Sequence, residues 1–370
     1  MKTYPLITLV TTLALPLIAV AKDKNKERPP ASTAPSSKAN KKMQAVLDQL
    51  TSLNGKPIDQ LTPEEARQQP TPADAVKALL EKRGKSTAPE PVAKVENKSI
   101  TGPGGEILMR IYTPKGEGPF PVILYIHGGG WVIANLDVYD SSPRALANAA
   151  GAVVVSTHYR LAPEHPFPAS HEDTFAAYKW TLENAASFNG DPLRLAVAGE
   201  SAGGNMAAAI SLVAREEKLP LPVHQLLIYP VAGTDMDTPS FKENASAKPL
   251  NKAMMAWFAK HEFKDAKDKE DPRIDLLSAN LAGLPPTTII TAEIDPLRSG
   301  GEMLAGKLKA AGVDVTHKNY AGVAHEFFGM GAVLSESKDA TKLAATHLRK
   351  AFLAAGAANP APAKVGAPRQ

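Results

Sequence analysis

The residues Gly199-Glu200-Ser201-Ala202-Gly203 stand where an apolar run, residues 193–198, meets an Ala-rich helical pattern. A strand that turns sharply into a helix forces the residue at the turn into a strained backbone conformation. Glycine two positions before and after that residue lets the strand and the helix approach closely. The hydroxyl of Ser201 is then exposed at the turn. The pattern therefore predicts a nucleophilic serine between a strand and a helix.

The rest of the main domain alternates in the same way. Apolar runs bounded by turn residues predict strands, and helical periodicity falls between several of them. This alternation predicts the α/β fold class, with a mostly parallel sheet flanked by helices on both faces. The predicted strands are residues 107–112, 122–126, 153–157, 195–198, 225–229, 287–291 and 313–316. The predicted helices are residues 143–150, 170–188, 202–218, 300–311 and 340–354.

Two regions depart from this rhythm. Helical patterns at residues 42–53 and 73–82 precede the first strand, and residues 233–280 contain no clear strand. An insertion helix in residues 233–280, joined to the N-terminal helices, would form a helical cap over the main domain. The apolar group at residues 254–258 either lines an acyl pocket or packs into the core, because methionine and aromatic side chains serve both purposes.

The N-terminus has the features of an export signal. A lysine at position 2 is followed by an apolar run at residues 6–20, and cleavage after Ala21 is expected, with an uncleaved anchor as the alternative. The protein is therefore expected to be exported, either periplasmic or secreted. The predicted organisation is a signal peptide at residues 1–21, a disordered linker at 22–41, N-terminal cap helices and a lead-in at 42–100, a catalytic domain at 101–356 with a cap insertion at about 233–280, and a disordered tail at 357–370.

Composition excludes several classes of function. The net charge is +4 and the basic residues are interspersed with acidic ones, so the sequence indicates neither a nucleic-acid surface nor a polybasic membrane patch. There is no cysteine, which excludes thiol chemistry, cysteine-ligated metals and a lipidated N-terminal cysteine. No pair of histidines has the HExxH spacing, so no metal is expected. A small-molecule substrate is the expected partner, with no membrane-spanning segment after signal cleavage; monomer and homodimer both stay open.

Two segments supply candidate donors for a developing oxyanion. Residues 127–131, His-Gly-Gly-Gly-Trp, follow a predicted strand, and consecutive glycines let backbone N–H groups face a site without an obstructing side chain. Ala202 lies at a helix N-terminus, where unpaired amides and the helix dipole favour negative charge. The predicted oxyanion hole is therefore formed by the amides of Gly129, Gly130 and Ala202.

An acid and a base follow downstream. Asp295 comes just past a predicted strand, at the edge where open α/β sheets bind ligands, and Glu293 is the rival acid. His325 lies in a predicted loop before the last helix. The chain order Ser201, Asp295, His325 is the order expected of an α/β-hydrolase.

Together these motifs resemble those of the hormone-sensitive-lipase-like esterases, also called the bacterial family IV esterases. The similarity spans roughly residues 105–352 and implies an α/β-hydrolase core with a helical cap. It also implies that no cofactor is used, and that carboxylic esters with short acyl chains are hydrolysed through an acyl-enzyme intermediate. The motifs that carry the resemblance are residues 127–131, 159–165, 199–204, 295–297 and 324–327.

The resemblance also implies a role for each matched residue. Two positions depart from the family pattern: Glu200 stands where Asp is more common, and Ser299 stands near a position that usually holds another acid, where it could cap the next helix. The implied roles are Ser201 as nucleophile, His325 as general base, Asp295 as its partner, and Gly129, Gly130 and Ala202 as the oxyanion hole.

Three alternatives remain at the level of sequence. The same machinery supports deacetylation of sugars and cleavage of aminoacyl amides, because the lid and the pocket determine substrate choice. A non-catalytic binding protein on this fold, as in the gibberellin receptors, is the third alternative. Those relatives lose the catalytic histidine, whereas His325 is present here.

Overall fold

The computed structural model describes Met1 and residues 39–358. The predicted signal peptide, and most of the predicted linker and tail, therefore lie outside the described residues. The described strands are β1 (Lys94–Gly102), β2 (Gly105–Thr113), β3 (Phe120–Ile126), β4 (Val153–Thr157), β5 (Gly190–Glu200), β6 (Gln225–Ile228), β7 (Thr287–Ile294) and β8 (Val315–Ala324).

These strands form one eight-stranded sheet in the order β1-β2-β4-β3-β5-β6-β7-β8. Strands β3 to β8 pair in parallel, whereas β1 and β2 form an antiparallel hairpin at one edge and β2 runs antiparallel to β4. The prediction omitted β1 because Ile100 is its one buried residue, so the strand carries no apolar run. Strand β8 extends to Ala324, well beyond the predicted end at Thr316. The prediction ended too early because the middle of the strand is exposed and polar.

Helices cover both faces of the sheet, as the alternation predicts. They are α1 (Lys41–Ser52), α2 (Pro63–Ala66), α3 (Pro72–Lys82), α4 (Ser141–Ala150), α5 (Ala169–Asn184), α6 (Ala202–Glu216), α7 (Pro239–Glu243), α8 (Lys252–Glu262), α9 (Arg298–Ala310) and α10 (Ser335–Ala358).

The side chains of β3 show how the two layers are built. Successive side chains of a strand point to opposite faces. Leu124 accordingly belongs to the core that includes α5, α6 and α9, whereas Ile123 and Tyr125 belong to the core that includes α1, α4 and α10. Strand β3 is therefore apolar on both sides, as expected of a parallel strand buried between two helical layers.

The N-terminal helices and the insertion at residues 233–280 contact each other. The Trp257 indole on α8 donates to the Leu61 carbonyl at 3.1 Å, and Lys248 donates to the Thr51 hydroxyl at 3.3 Å. The Arg67 guanidinium, just after α2, donates to the carbonyl of Val132 at 2.8 Å. This last bond ties the N-terminal segment to the loop that follows β3. None of the helices among residues 39–358 is long and apolar enough to cross a membrane.

Candidate active site

Ser201 lies at the sharp turn between β5 and α6. Its φ of 58° and ψ of −119° are in a region that non-glycine residues rarely adopt. A Cβ on Gly203 would lie 2.1 Å from the Ile126 carbonyl oxygen, so glycine is needed where α6 crosses the end of β3. Ser201 is only 5% exposed, which is less open than the isolated motif suggests. The turn therefore places the Ser201 hydroxyl at the carboxyl end of the sheet, where other residues of the site cover it.

The structure brings Ser201, His325 and Asp295 together. His325 Nε2 lies 3.0 Å from Ser201 Oγ, and His325 Nδ1 lies 2.7 Å from Asp295 Oδ2. An ionised carboxylate only accepts hydrogen bonds, so the proton of a neutral imidazole lies on Nδ1 and Nε2 is free to accept from the serine. The other oxygen of Asp295 accepts from the Leu297 amide at 2.8 Å, which fixes the carboxylate plane.

The charge of Asp295 also controls the basicity of His325. Burial of the imidazole opposes its protonation, but the charge and hydrogen bond of Asp295 outweigh it. With smaller contributions from Glu326 and Glu200, they raise the pKa of His325 above its usual value. A general base must be neutral before it accepts a proton. Activity is therefore expected to fall as the pH drops through this raised pKa.

Glu293, the rival acid, faces a different group. Its carboxylate accepts from the Gly322 amide on β8 at 2.6 Å. Asp295, at the end of β7, is fully buried, and its backbone carbonyl accepts from the Asn244 side chain at 3.2 Å. The structure therefore pairs His325 with Asp295, while Glu293 supports the strand that leads to His325.

The predicted oxyanion donors have free N–H groups. The backbone amides of Gly129 and Gly130 donate to no backbone or side-chain acceptor of the described chain. Ala202 is the first residue of α6, where the helix offers no partner for the amide. A Cβ on Gly128 would lie 3.1 Å from the Ser201 Cβ, so the glycine loop packs directly against the nucleophile turn.

Buried histidine and tyrosine side chains hold this loop in place. His127 Nδ1 lies 2.8 Å from the Gly128 carbonyl oxygen, and His127 Nε2 lies 2.9 Å from His158 Nδ1. The Tyr159 hydroxyl donates to the Gly128 carbonyl at 2.9 Å. Burial lowers the pKa of His127 to about 3, so this ring stays neutral and acts as a structural link.

Replacement of Gly129 by alanine is expected to lower kcat/KM about 10²–10³-fold, comparable to the loss of one oxyanion donor. The residue has φ +98°, and a Cβ would lie 2.1 Å from the Ile133 carbonyl oxygen, so the loop must shift. Gly151→Ala is the matched control, because Gly151 has φ +63° but open space around its Cβ position. Steady-state kinetics of both variants with a p-nitrophenyl ester check this expectation. If kcat/KM fell no further in Gly129→Ala than in Gly151→Ala, the geometry of the glycine loop would be unimportant.

Sequence reasoning missed two glutamates beside the triad. Glu200, noted only as a departure from the family pattern, accepts from the Tyr125 hydroxyl at 2.5 Å and from the Tyr229 hydroxyl. Glu326, directly after His325, accepts from the Tyr139 hydroxyl at 2.6 Å. Their positions next to the nucleophile and the base were the available signal.

The capping role predicted for Ser299 is wrong. Leu297, not Ser299, occupies the N-cap position of α9, because the helix begins at Arg298. The Ser299 hydroxyl instead accepts from the Ser240 amide at 3.1 Å, which connects α9 to α7 in the insertion. Among residues 39–358, no group of three or more His, Asp or Glu side chains is arranged to hold a metal ion.

Comparison with known proteins identifies the class that this fold and site define. The model of a family described as having the alpha/beta hydrolase fold matches residues 123–329, more than half of the chain. The chain belongs to this family, in its hormone-sensitive-lipase-like branch.

The relatives are esterases, and the chain is a serine carboxylesterase. It is 41% identical to carboxylesterase NlhH of Mycobacterium tuberculosis over 293 residues, which cover 76% of this chain and 91% of that protein. It is 33% identical to an ethyl acetate hydrolase of Pseudomonas putida over 289 residues, which cover 76% and 88% of the two chains. A hyperthermophilic esterase from Pyrobaculum calidifontis superposes with a TM-score of 0.78 at 36% identity, covering 86% of this chain and 99% of the other.

Proposed function

We propose that Ser201, His325 and Asp295 cleave esters in two acyl-transfer steps. His325 Nε2 accepts the proton of Ser201 Oγ as this oxygen attacks the ester carbonyl. His325 then returns the proton to the leaving alcohol, which releases it and leaves an acyl-serine. Water repeats the attack with the same base, and the acid leaves. The observation that carries this proposal is the continuous chain of contacts from Ser201 Oγ through the imidazole to Asp295, at 3.0 and 2.7 Å.

The free amides of Gly129, Gly130 and Ala202 supply the electrostatic part of this mechanism. The carbonyl oxygen gains a full negative charge in the tetrahedral state, and preorganised N–H donors stabilise that charge more than they stabilise the ground state. Donors with no other hydrogen-bond partner reorganise little when the charge develops. We assign the oxyanion hole to these three residues.

The cap favours esters with short acyl chains. A Cβ on Gly130 would lie 2.3 Å from the ring of Phe258, so this α8 side chain lies directly on the glycine loop. Phe258 is 3% exposed and packs edge-to-face with Trp257. Little room is left above the oxyanion loop for a long chain. The name of the similar ethyl acetate hydrolase supports the same substrate class.

A panel of p-nitrophenyl esters from acetate to decanoate tests this preference. We expect kcat/KM to be highest for acetate or butyrate, and we expect Phe258→Ala to shift the maximum toward longer chains. Phe241→Ala is the matched control, because Phe241 is a buried aromatic residue of the same insertion on α7. A wild-type preference for decanoate would overturn the proposal. Faster turnover of an acetylated sugar or an aminoacyl amide would establish one of the alternative substrate classes instead.

We further propose that the protein is exported and processed after Ala21. Support comes from the lysine at position 2, the apolar run at residues 6–20 and the small residues before the cleavage site. N-terminal sequencing of the protein from the periplasm or the medium of a bacterial host is expected to begin at Lys22. Recovery of the chain from the cytoplasm with residues 1–21 intact would contradict this proposal.

A further inference from the structure

Two carboxylates lie together beside the catalytic histidine. Glu200 is 1% exposed and Glu326 has a side chain 21% exposed. Both line one small cavity of about 30 Å³, together with Tyr139 and Ser142. Glu326 Oε1 is also 3.8 Å from His325 Nε2, the nitrogen that faces Ser201. Neither carboxylate has a role in the two-step mechanism above.

The cavity is suited to a water molecule. A polar cavity needs roughly 10–15 Å³ of space to hold one water with two to four polar partners. The Ser142 hydroxyl lines this cavity, is buried, and has no well-formed hydrogen bond within the described chain, although it faces Glu200 and lowers the pKa of that carboxyl. A water there would give Ser142 a partner and would connect it to the two carboxylates.

The arrangement disfavours two negative charges. Like charges in one poorly solvated site cannot both ionise without a large cost, so such pairs usually retain one proton. Burial, followed by the charge of Glu326, raises the pKa of Glu200 well above its usual value. Burial also raises the pKa of Glu326, although the charge of His325 opposes that change. Four hydroxyl groups face the pair: those of Tyr125 on β3, Tyr139 before α4, Tyr229 after β6 and Ser142 on α4. The charged groups that face it are His325, just after β8, and Asp295, just after β7.

The surrounding hydroxyls also disfavour a pair without charge. Tyr125 and Tyr229 each donate to a different oxygen of Glu200, and Tyr139 donates to Glu326. Hydrogen bonds donated to a carboxylate favour its ionised form. The surroundings of the pair therefore favour the state with one proton and one negative charge.

We propose that Glu200 and Glu326 share one proton across this cavity and act as positioning residues whose single negative charge tunes the basicity of His325. This inference rests on the proposed role of His325 as the base for Ser201. Glu326 approaches His325 Nε2 directly and Glu200 does not. The effect on the imidazole therefore depends on which of the two carboxylates carries the negative charge. A charge on Glu326 favours the imidazolium more than a charge on Glu200.

The test measures the rate at which an organophosphonate labels Ser201, as a function of pH. Labelling requires neutral His325 but no particular ester, so it reports on the base even if the assigned substrate class is wrong. The midpoint of its acid limb is compared for the wild type, Glu200→Gln and Glu326→Gln. Loss of ester hydrolysis with normal labelling would count against the proposed function alone.

A shared proton predicts that the two glutamine substitutions shift the midpoint of the acid limb differently. Glu326→Gln confines the charge to Glu200, so the midpoint is expected to fall by about 1 pH unit. Glu200→Gln removes the repulsion and leaves Glu326 ionised, so the midpoint is expected at or above the wild-type value. If both variants lowered it, the pair would carry two charges; if neither moved it, the pair would not act on His325. Either result overturns the proposal.

Two further variants separate tuning from structural damage. Tyr125→Phe keeps both carboxylates but removes one donor from Glu200, so charge moves toward Glu326 and the midpoint is expected at or above the wild-type value. Glu262→Gln is the matched control. Glu262 is a fully buried carboxylate on α8 that contacts Ser170, and its substitution is expected to leave the midpoint unchanged. A fall in the Tyr125→Phe midpoint, or a shift in the control equal to that of Glu326→Gln, would contradict the proposal.

Discussion

Ser201→Ala is expected to lower kcat/KM for a short-chain p-nitrophenyl ester about 10⁴–10⁶-fold. The substitution removes the oxygen that forms the acyl-enzyme bond in the proposed mechanism, while the amides assigned to the proposed oxyanion hole and the imidazole stay in place. The remaining rate then comes from water attacking an ester that is still bound and polarised. Steady-state kinetics, with mass spectrometry to detect the acyl-serine, check this expectation.

Ser211→Ala is the matched control for this loss. Ser211 lies on the same helix, α6, is fully buried, and its hydroxyl has no hydrogen-bond partner in the described chain. Its removal is expected to change kcat/KM less than about threefold, because no reacting atom is touched. If Ser201→Ala stayed within tenfold of the wild type, another residue would have to be the nucleophile.

Asp295→Asn is expected to lower kcat/KM about 10³–10⁴-fold while leaving the fold intact. The Leu297 amide donates to one oxygen of Asp295, so an asparagine would keep its carbonyl there and turn its NH₂ group toward His325. Nδ1 would then have to accept, which places the imidazole proton on Nε2. An imidazole in that tautomer cannot take the proton of Ser201.

Glu293→Gln is the control that separates the two candidate acids. Glu293 binds the Gly322 amide and not His325, so its variant is expected to retain activity within about tenfold. The pH profile adds a second readout. Asp295 raises the pKa of His325, so the part of the residual Asp295→Asn activity that still uses neutral His325 as the base is expected to persist to lower pH than wild-type activity. A larger loss in Glu293→Gln than in Asp295→Asn would reverse the assignment.

Prediction from sequence succeeded where local pattern and burial coincide. Strand β4 matches the predicted residues 153–157, and the helix after Ser201 begins where the motif indicates. It failed where a strand is held by pairing and not by apolar content. Strand β1 is almost wholly exposed, and the middle of β8 is polar, so neither shows the alternation that identifies strands.

The active site divides in the same way. The motifs identified Ser201, Asp295 and His325 as candidates, because each follows a strand and their chain order is that of a hydrolase. They left Glu293 as a rival, since two carboxylates two residues apart at a strand end cannot be ranked by pattern. The hydrogen bond from Gly322 to Glu293 separates them, and it depends on how β7 and β8 pair.

By itself, the sequence determined the α/β class, the nucleophile turn and the glycine loop, because these depend on local backbone geometry and on residues close together in the chain. The tertiary structure alone decided which acid faces His325, how Phe258 narrows the space above Gly130, and that Glu200 and Glu326 share a cavity. Each of these relations joins segments that are far apart in sequence. Their distances and charges are set by the packing of strands and cap helices, which no local pattern records.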